Sequence, residues 1–143
     1  MTETVHATSV AIGDRAVLIF GRSGAGKSDL ALRLIDRGAT LVSDDYTILE
    51  ALDGALLAAP PPTIAGKMEL RGVGIIELPH ASFVPSALIV DLDHDPDRLP
   101  EPGTRAIAGI AIPMIGLHGL EPSAPIKVEK ALLLHGLAPP CPR

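Results

Sequence analysis

Aromatic residues and cysteine are nearly missing from this chain: no Trp, one Tyr, two Phe and one Cys among 143 residues. A core here has to be built from Ala, Val, Ile and Leu rather than from stacked rings. The lone Cys141, in the terminal Pro139-Pro140-Cys141-Pro142-Arg143, cannot make an internal disulfide and reads as incidental. No apolar run approaches the ~18 residues of a membrane span, and the N-terminus has no signal-peptide pattern. The expectation is a soluble, cytoplasmic protein with no membrane partner. Positive charge is also scarce. Lys and Arg total 12 against 17 Asp and Glu, for a net charge of −5, and they form no basic block. The clustered Lys/Arg of nonspecific nucleic-acid binding is lacking, so no nucleic-acid partner is expected. His80, His94, His118 and His135 have no metal-ligand spacing and read as surface or loop residues.

Glycine and proline, by contrast, are plentiful at 14 each. They predict many short elements and tight turns rather than a helical bundle. The length suits one domain, residues 1–143, with a real core. Thr4–Ile12 and Ala16–Phe20 read as a hairpin around Gly13-Asp14. A helix is expected from about Lys27 to Arg37, ended by Gly38. Thr40–Ser43 reads as a buried strand, and Tyr46–Leu52 with Ala55–Ala58 as a second hairpin around Asp53-Gly54. Ile64–Leu78 mixes a short helix with a glycine-punctuated segment. Ser86–Leu92 and Ala106–Ile112 read as strands, Asp93–Thr104 and Leu117–Pro125 as loops, and Ile126–His135 as the final helix. Numerous strands with few helices predict an α/β fold with mixed rather than fully parallel sheets.

The most informative segment is Gly21-Arg22-Ser23-Gly24-Ala25-Gly26-Lys27-Ser28. It fits the phosphate-binding pattern GxxxxGK[ST] and stands between the apolar run Ala16–Phe20 and a helix-like stretch, the context the pattern requires. Glycines let the backbone aim N–H groups inward as an anion nest at a helix N-terminus, where the dipole also favours phosphate. Lys27 would reach the outer phosphates, and the Ser28 hydroxyl would ligate Mg²⁺.

Phosphoryl chemistry also needs a carboxylate near the metal and a group that handles the nucleophile. Two segments compete for this role. Thr40–Asp45 ends in Asp44-Asp45, one helix and one strand after the loop. Ala87–Asp91 is an apolar run ending in Asp, the usual form of a Walker B strand. Adjacent strand residues point to opposite faces, so only one of Asp44 and Asp45 should fully face the phosphates. A carboxylate beside both Mg²⁺ and an acceptor hydroxyl can orient that hydroxyl and take its proton. Spacing alone does not decide between the segments.

A family resemblance does. The phosphate loop, Ala31-Leu32 and Leu34-Ile35, Arg37-Gly38, Leu41-Val42-Ser43-Asp44-Asp45, and above all Glu69-Leu70-Arg71-Gly72-Val73-Gly74-Ile75-Ile76 resemble the catalytic domain of HPr kinase/phosphorylase, from about His6 to about Val128. Enzymes of this family phosphorylate a serine of the phosphocarrier protein HPr. The resemblance implies a P-loop domain with mixed β-sheets, related to phosphoenolpyruvate carboxykinase. It also implies ATP and Mg²⁺ as cofactors and HPr as partner. Gly21, Arg22, Ser23, Gly24, Ala25, Gly26, Lys27 and Ser28 would hold the nucleotide together with Arg71, while Ser28 and Glu69 match the metal ligands. Lys27 joins the catalytic set. The Asp44-Asp45 pair carries the proton acceptor, with the choice between the two left open. His6 matches a histidine associated with the active site, though Ala7 stands where the family usually has Gly. Arg98, in Asp97-Arg98-Leu99, matches an active-site arginine whose fork suits phosphate.

Three departures accompany the match. The larger enzymes carry a separate N-terminal domain, whereas here the catalytic domain begins almost at residue 1. A loop of the form P-V-x-P-G-R, tied to removing phosphate from phosphoserine, should fall near Pro113–Lys127, and no Pro-Gly-Arg stands there. The following region is shorter, including helices that contact neighbouring subunits and HPr. The expectation is an HPr serine kinase with weak or absent phosphorylase activity and without the full contacts of the family's hexamer; a homo-oligomer stays open. Two alternatives stand beside it: a P-loop kinase of another hydroxyl acceptor, and a non-catalytic nucleotide-sensing module.

Overall fold

A computed structural model describes residues 1–98 and 101–139; Leu99 and Cys141 lie outside the described residues. At its centre two apolar runs, β3 (Arg15–Phe20) and β9 (Val84–Asp91), lie parallel, pairing Leu18 with Ile89 and Phe20 with Asp91. Near-continuous apolar sequence is what a strand buried on both faces requires. β2 (Ala7–Ile12) returns antiparallel on β3 across the Gly13-Asp14 turn, and β4 (Thr40–Ser43) pairs antiparallel with β2. On its other side β9 has two neighbours. Its N-terminal end pairs antiparallel with β6 (Ala55–Ala59), its C-terminal end parallel with β11 (Ile110–Gly116). From there one branch continues through β5 (Thr47–Leu52) to β1 (Thr2–Val5), and the other ends at β10 (Gly103–Ile107). The result is a nine-stranded mixed sheet that forks at β9. β7 (Lys67–Leu70) and β8 (Gly74–Glu77) form a separate two-stranded hairpin.

Strand alternation sorts the core into two layers. Val17, Ile19, Leu88 and Val90 pack with Leu30 and Leu34 of α1 (Lys27–Asp36), and with Val128 and Leu132 of α2 (Ala124–His135). Leu18, Phe20 and Ile89 face the other way, against Leu49, Leu56, Ile107 and Ile112 of the two branches. α1 ends as its sequence predicts. Gly38, at φ 114°, lets its N–H reach Ile35 O while the Ala39 N–H reaches Leu34 O, both at 3.0 Å. This is the paired closing of a helix by a left-handed glycine.

The mixed sheet, the first two hairpins, α1 and β4 stand where the sequence places them. Three expectations are corrected. Thr4–Ile12 is not one strand: the chain breaks at His6, and β1 pairs with β5 while β2 pairs with β3 and β4. Ile64–Leu78 holds no helix, only the β7–β8 hairpin, because positive φ at Gly72 and Gly74 (85° and 126°) turns the chain back. Ala106–Ile112 is two strands, β10 and β11, meeting at Ala108-Gly109 with φ of 50° and 81°. None of the described helices is long and apolar enough to cross a membrane.

Candidate active site

β3 and β9 end side by side, and the phosphate loop leaves from that edge. It runs from Phe20 to α1, turning at Ala25 N–H to Arg22 O (3.0 Å) and opening the helix with Leu30 N–H to Gly26 O (2.9 Å). Gly26 takes the N-cap position at φ 98°, a conformation that L side chains rarely adopt. α1 has no side-chain cap, so its first-turn N–H groups open toward the loop. Lys27 is buried, and its Nζ donates to Gly21 O (2.7 Å) and Arg22 O (3.3 Å), which holds the ammonium inside the curve of the loop. The Arg22 N–H donates to Asp93 Oδ2 at 2.9 Å, and the Arg22 guanidinium lies 3.4 Å from Asp93 Oδ1. Asp93 thereby ties the loop to the segment that follows β9. Over the other end, Arg33 of α1 donates to the carbonyls of Gly119 and Glu121, holding residues 117–123 in place. Leu120 of that segment lies so close that a Cβ at Gly26 would stand 2.6 Å from its Cδ2.

The carboxylates meet this loop from β4. Asp44 is buried and accepts from three donors: the Ser28 hydroxyl at 2.6 Å, the Thr8 hydroxyl at 3.2 Å and the Glu69 N–H at 3.4 Å. Asp45 is exposed and turned outward by a left-handed backbone, φ 72°. The Tyr46 N–H bonds back to Asp44 O at 2.9 Å, making a three-residue turn. His6 Nε2 donates to Asp45 Oδ1 at 2.8 Å, and its ring lies against Tyr46 with centroids 5.0 Å apart. The break between β1 and β2 is what leaves His6 free to face this turn.

The sequence-derived residues therefore fall into two groups. His6, Lys27, Ser28, Asp44 and Asp45 converge with the loop glycines, and Glu69 touches the cluster through its backbone. Arg71 is exposed at the tip of the β7–β8 hairpin, and Arg98 is exposed in the loop after β9. Neither makes a hydrogen bond or ion pair with another described residue. Asp91, the competing carboxylate, caps the turn after β9 by accepting the Asp93 N–H at 2.9 Å. Thr8 and Asp93 escaped the sequence reading. Thr8 stands two positions after His6, the spacing that puts side chains on one face of an extended segment. Asp93 has no comparable signal, because its partner is set by strand pairing.

Segments 92–98 and 117–123 meet through His118. Its Nε2 donates to Asp95 Oδ1 (3.1 Å), and its Nδ1 lies 3.2 Å from Glu121 Oε1. Asp95 and then Glu121 raise the His118 pKa above its ordinary value. Hydrogen bonds from Lys127 and His118 lower that of Glu121.

The chain is similar to known proteins in sequence and in fold. The family profile described as HPr Serine kinase C-terminal domain matches residues 1–84. The HPr kinase/phosphorylase of Clostridium tetani is 39% identical over 84 residues, covering 59% of this chain and 28% of that protein. That of Limosilactobacillus reuteri is 35% identical over 146 residues, covering 92% of this chain and 43% of its own. The chain thus spans less than half the length of these curated relatives. The structure of the Hpr(Ser) kinase/phosphatase from Coxiella burnetii matches with a TM-score of 0.82 and 29% identity, over 93% of this chain and 95% of that one. That structure has a phosphoenolpyruvate-carboxykinase-like fold, which this chain shares. With a phosphate loop, a paired-aspartate strand and a profile match over more than half its length, the chain belongs to the HPr serine kinase C-terminal domain family.

Proposed function

We propose that this chain is a kinase domain that transfers the γ-phosphoryl group of ATP to a serine hydroxyl of HPr. One observation carries the reading: the two aspartates are held in different states beside one phosphate loop. Asp44, buried on Ser28, belongs to the metal and phosphate side. Asp45, exposed and oriented by His6, belongs to the acceptor side.

The residues present fit Mg²⁺. Ser28 Oγ and Asp44 Oδ1 are hard oxygen donors 2.6 Å apart, and Glu69 of β7 is tied to Asp44 Oδ2 through its backbone N–H at 3.4 Å. Among the described residues no three His, Cys, Asp or Glu side chains converge. A magnesium ion held by Ser28 and Asp44 would take further ligands from phosphate and water. When bound, the ion would neutralise charge on the phosphate chain.

In the mechanism this supports, the loop amides and Lys27 hold the β- and γ-phosphates. Asp45 accepts the serine proton as the Ser O–P bond forms and the bond from γ-phosphorus to the bridging oxygen breaks, leaving ADP. His6 fixes the carboxylate's direction throughout. Catalysis is then mostly positioning and charge stabilisation, with the proton taken late. The Pro113–Lys127 region forms the end of β11, the segment packed over the phosphate loop and the start of α2, and it carries no Pro-Gly-Arg. The reading therefore includes phosphorylase activity that is weak or absent. It also places the chain in the cytoplasm, where nucleotide and phosphocarrier meet.

The test is the intact mass of HPr after incubation with this protein, ATP and Mg²⁺, beside HPr with its acceptor Ser replaced by Ala. One added phosphate on the first and none on the second is the expected result. Asp45→Asn should stop transfer while sparing nucleotide binding. ATP binding without transfer to HPr would move the assignment to another hydroxyl acceptor or to a nucleotide sensor.

A further inference from the structure

We infer that Thr8 is a positioning residue that couples the two aspartates, so that the phosphate side and the acceptor side of the site share one geometry. The role in turnover rests on the kinase reading above; the structural coupling does not. Thr8 sits in β2 between β3 and β4 and is fully buried, with 0% of its surface exposed. Its hydroxyl donates to Asp44 Oδ1 and accepts the Asp45 N–H, each at 3.2 Å. One hydroxyl can do both, because it carries one donor and two acceptor positions. Among the described residues, no other side chain bonds to both members of the pair.

The second bond matters most. Asp45 has a backbone φ of 72°, a region that residues other than glycine occupy only when their surroundings over-determine it. The surroundings here are the Tyr46 N–H on Asp44 O, the Ser43 hydroxyl on Tyr46 O, His6 on the carboxylate, and Thr8 on the Asp45 N–H. Thr8 is the anchor that comes from the sheet interior. The others belong to the turn itself or to the exposed His6. Without the hydroxyl the Asp45 N–H has no protein acceptor, the turn relaxes toward ordinary φ, and the carboxylate leaves the direction in which it meets a hydroxyl. Asp44 meanwhile keeps the Ser28 hydroxyl and the Glu69 N–H, so the phosphate loop holds its shape.

Thr8→Val keeps the β-branched shape and removes the hydroxyl; Thr8→Ser keeps the hydroxyl. The expected result for Thr8→Val is a kcat at least about tenfold lower with KM for ATP within about threefold of wild type, and for Thr8→Ser a return to within about threefold in both. The activity-independent readout is the Asp45 amide by NMR hydrogen exchange. It should be protected in the wild type although the residue is exposed, about as protected in Thr8→Ser, and at least tenfold faster in Thr8→Val. Rapid exchange of this amide in the wild type overturns the inference without any variant having to fold. So does a Thr8→Val protein that keeps the protection, or one that loses nucleotide affinity and turnover in the same proportion. Should the wild type transfer no phosphate to HPr, the kinase reading fails, and the exchange measurements still decide whether Thr8 holds the pair together.

Discussion

Truncating Met68 to Ala tests how the β7–β8 hairpin, and Glu69 with it, is held against the site. The hairpin is a two-stranded sheet of its own, and such a pair is at best marginally stable in water. The hairpin is largely exposed, with Val73 in its turn at 75% and Ile75 of β8 at 70%. Met68, at 0%, is the exception: it enters the core layer that holds Leu30, Leu34 and Leu41, with Leu70 and Ile76 packed beside it. Met→Ala at a fully buried site costs about 2–5 kcal/mol, combining lost transfer energy with the cavity left behind. At roughly 2.1 cal/mol/K of unfolding entropy per residue, a chain of this length loses about 3 °C of Tm per kcal/mol, so Tm should fall by about 7–17 °C. The loss should concentrate in the hairpin. Hydrogen exchange of residues 67–77 should accelerate far more than that of β3 and β9 at a temperature where the variant is folded. Met68→Leu, which nearly conserves volume, should cost less than about 1.5 kcal/mol. The assay is differential scanning calorimetry with peptide-resolved hydrogen exchange. A Met68→Ala protein within 2–3 °C of wild type, with hairpin exchange unchanged, would refute the claim that this side chain docks the hairpin.

Three further outcomes are expected. Lys27→Ala should lower transfer at least about 100-fold, as loss of a preorganised charge contact does, and weaken ATP binding by calorimetry; full activity would remove the phosphate-loop assignment. Gly26→Ala forces a side chain into φ 98° and against Leu120, so it should cost about 1–2 kcal/mol in stability by denaturant titration and lower nucleotide affinity. The His118 ring should titrate above its ordinary pKa in an NMR pH series. Because its folded pKa is raised, its ion pairs are complete below about 6.5 and are lost as pH rises through the raised value. Glu121, lowered, contributes above the ordinary carboxylate range and loses its part as pH falls through its folded value. Exchange protection of residues 117–123 should therefore be greatest between those limits, and His118→Gln should flatten the alkaline side of the profile.

Local chemistry was legible and distant partners were not. The phosphate loop, α1 and β4 are each specified by neighbours in sequence: glycines of fixed spacing, an apolar helical stripe, and Gly38 as a stop. Asp44 and Asp45 were candidates because they close a strand directly after that helix, but Asp91 closes an apolar run as well, and only the family resemblance separated them. The division of the pair into a buried and an exposed member could not be read, because it depends on Thr8 and His6 from another strand. The β10–β11 hairpin was hidden by its turn. Positive φ at both central positions normally draws Asn-Gly or Asp-Gly, and Ala108 carries no such signal. In Lys67–Leu70 a strand of four residues gives too little alternation to separate it from one helical turn. The break at His6 is likewise tertiary, set by the two different sheet branches that claim its flanks.

The fork at β9 has a consequence for how the chain reaches this state. β2–β3, β5–β6, β7–β8 and β10–β11 each join neighbours in sequence across short turns, so each closes at small entropic cost. β9 is different: its pairing with β3 spans the intervening helix, hairpins and β4. Contacts so distant along the chain slow folding, because the closure entropy is spent before the contacts repay it. The edge from which the phosphate loop leaves exists only once Phe20 lies beside Asp91, and Asp93 can reach Arg22 only after that. During synthesis from the N-terminus, the GxxxxGK[ST] segment is therefore made early and shaped late. On the kinase reading proposed above, nucleotide affinity should emerge on the ribosome only when β9 has left the exit tunnel, long after residues 21–28 have done so.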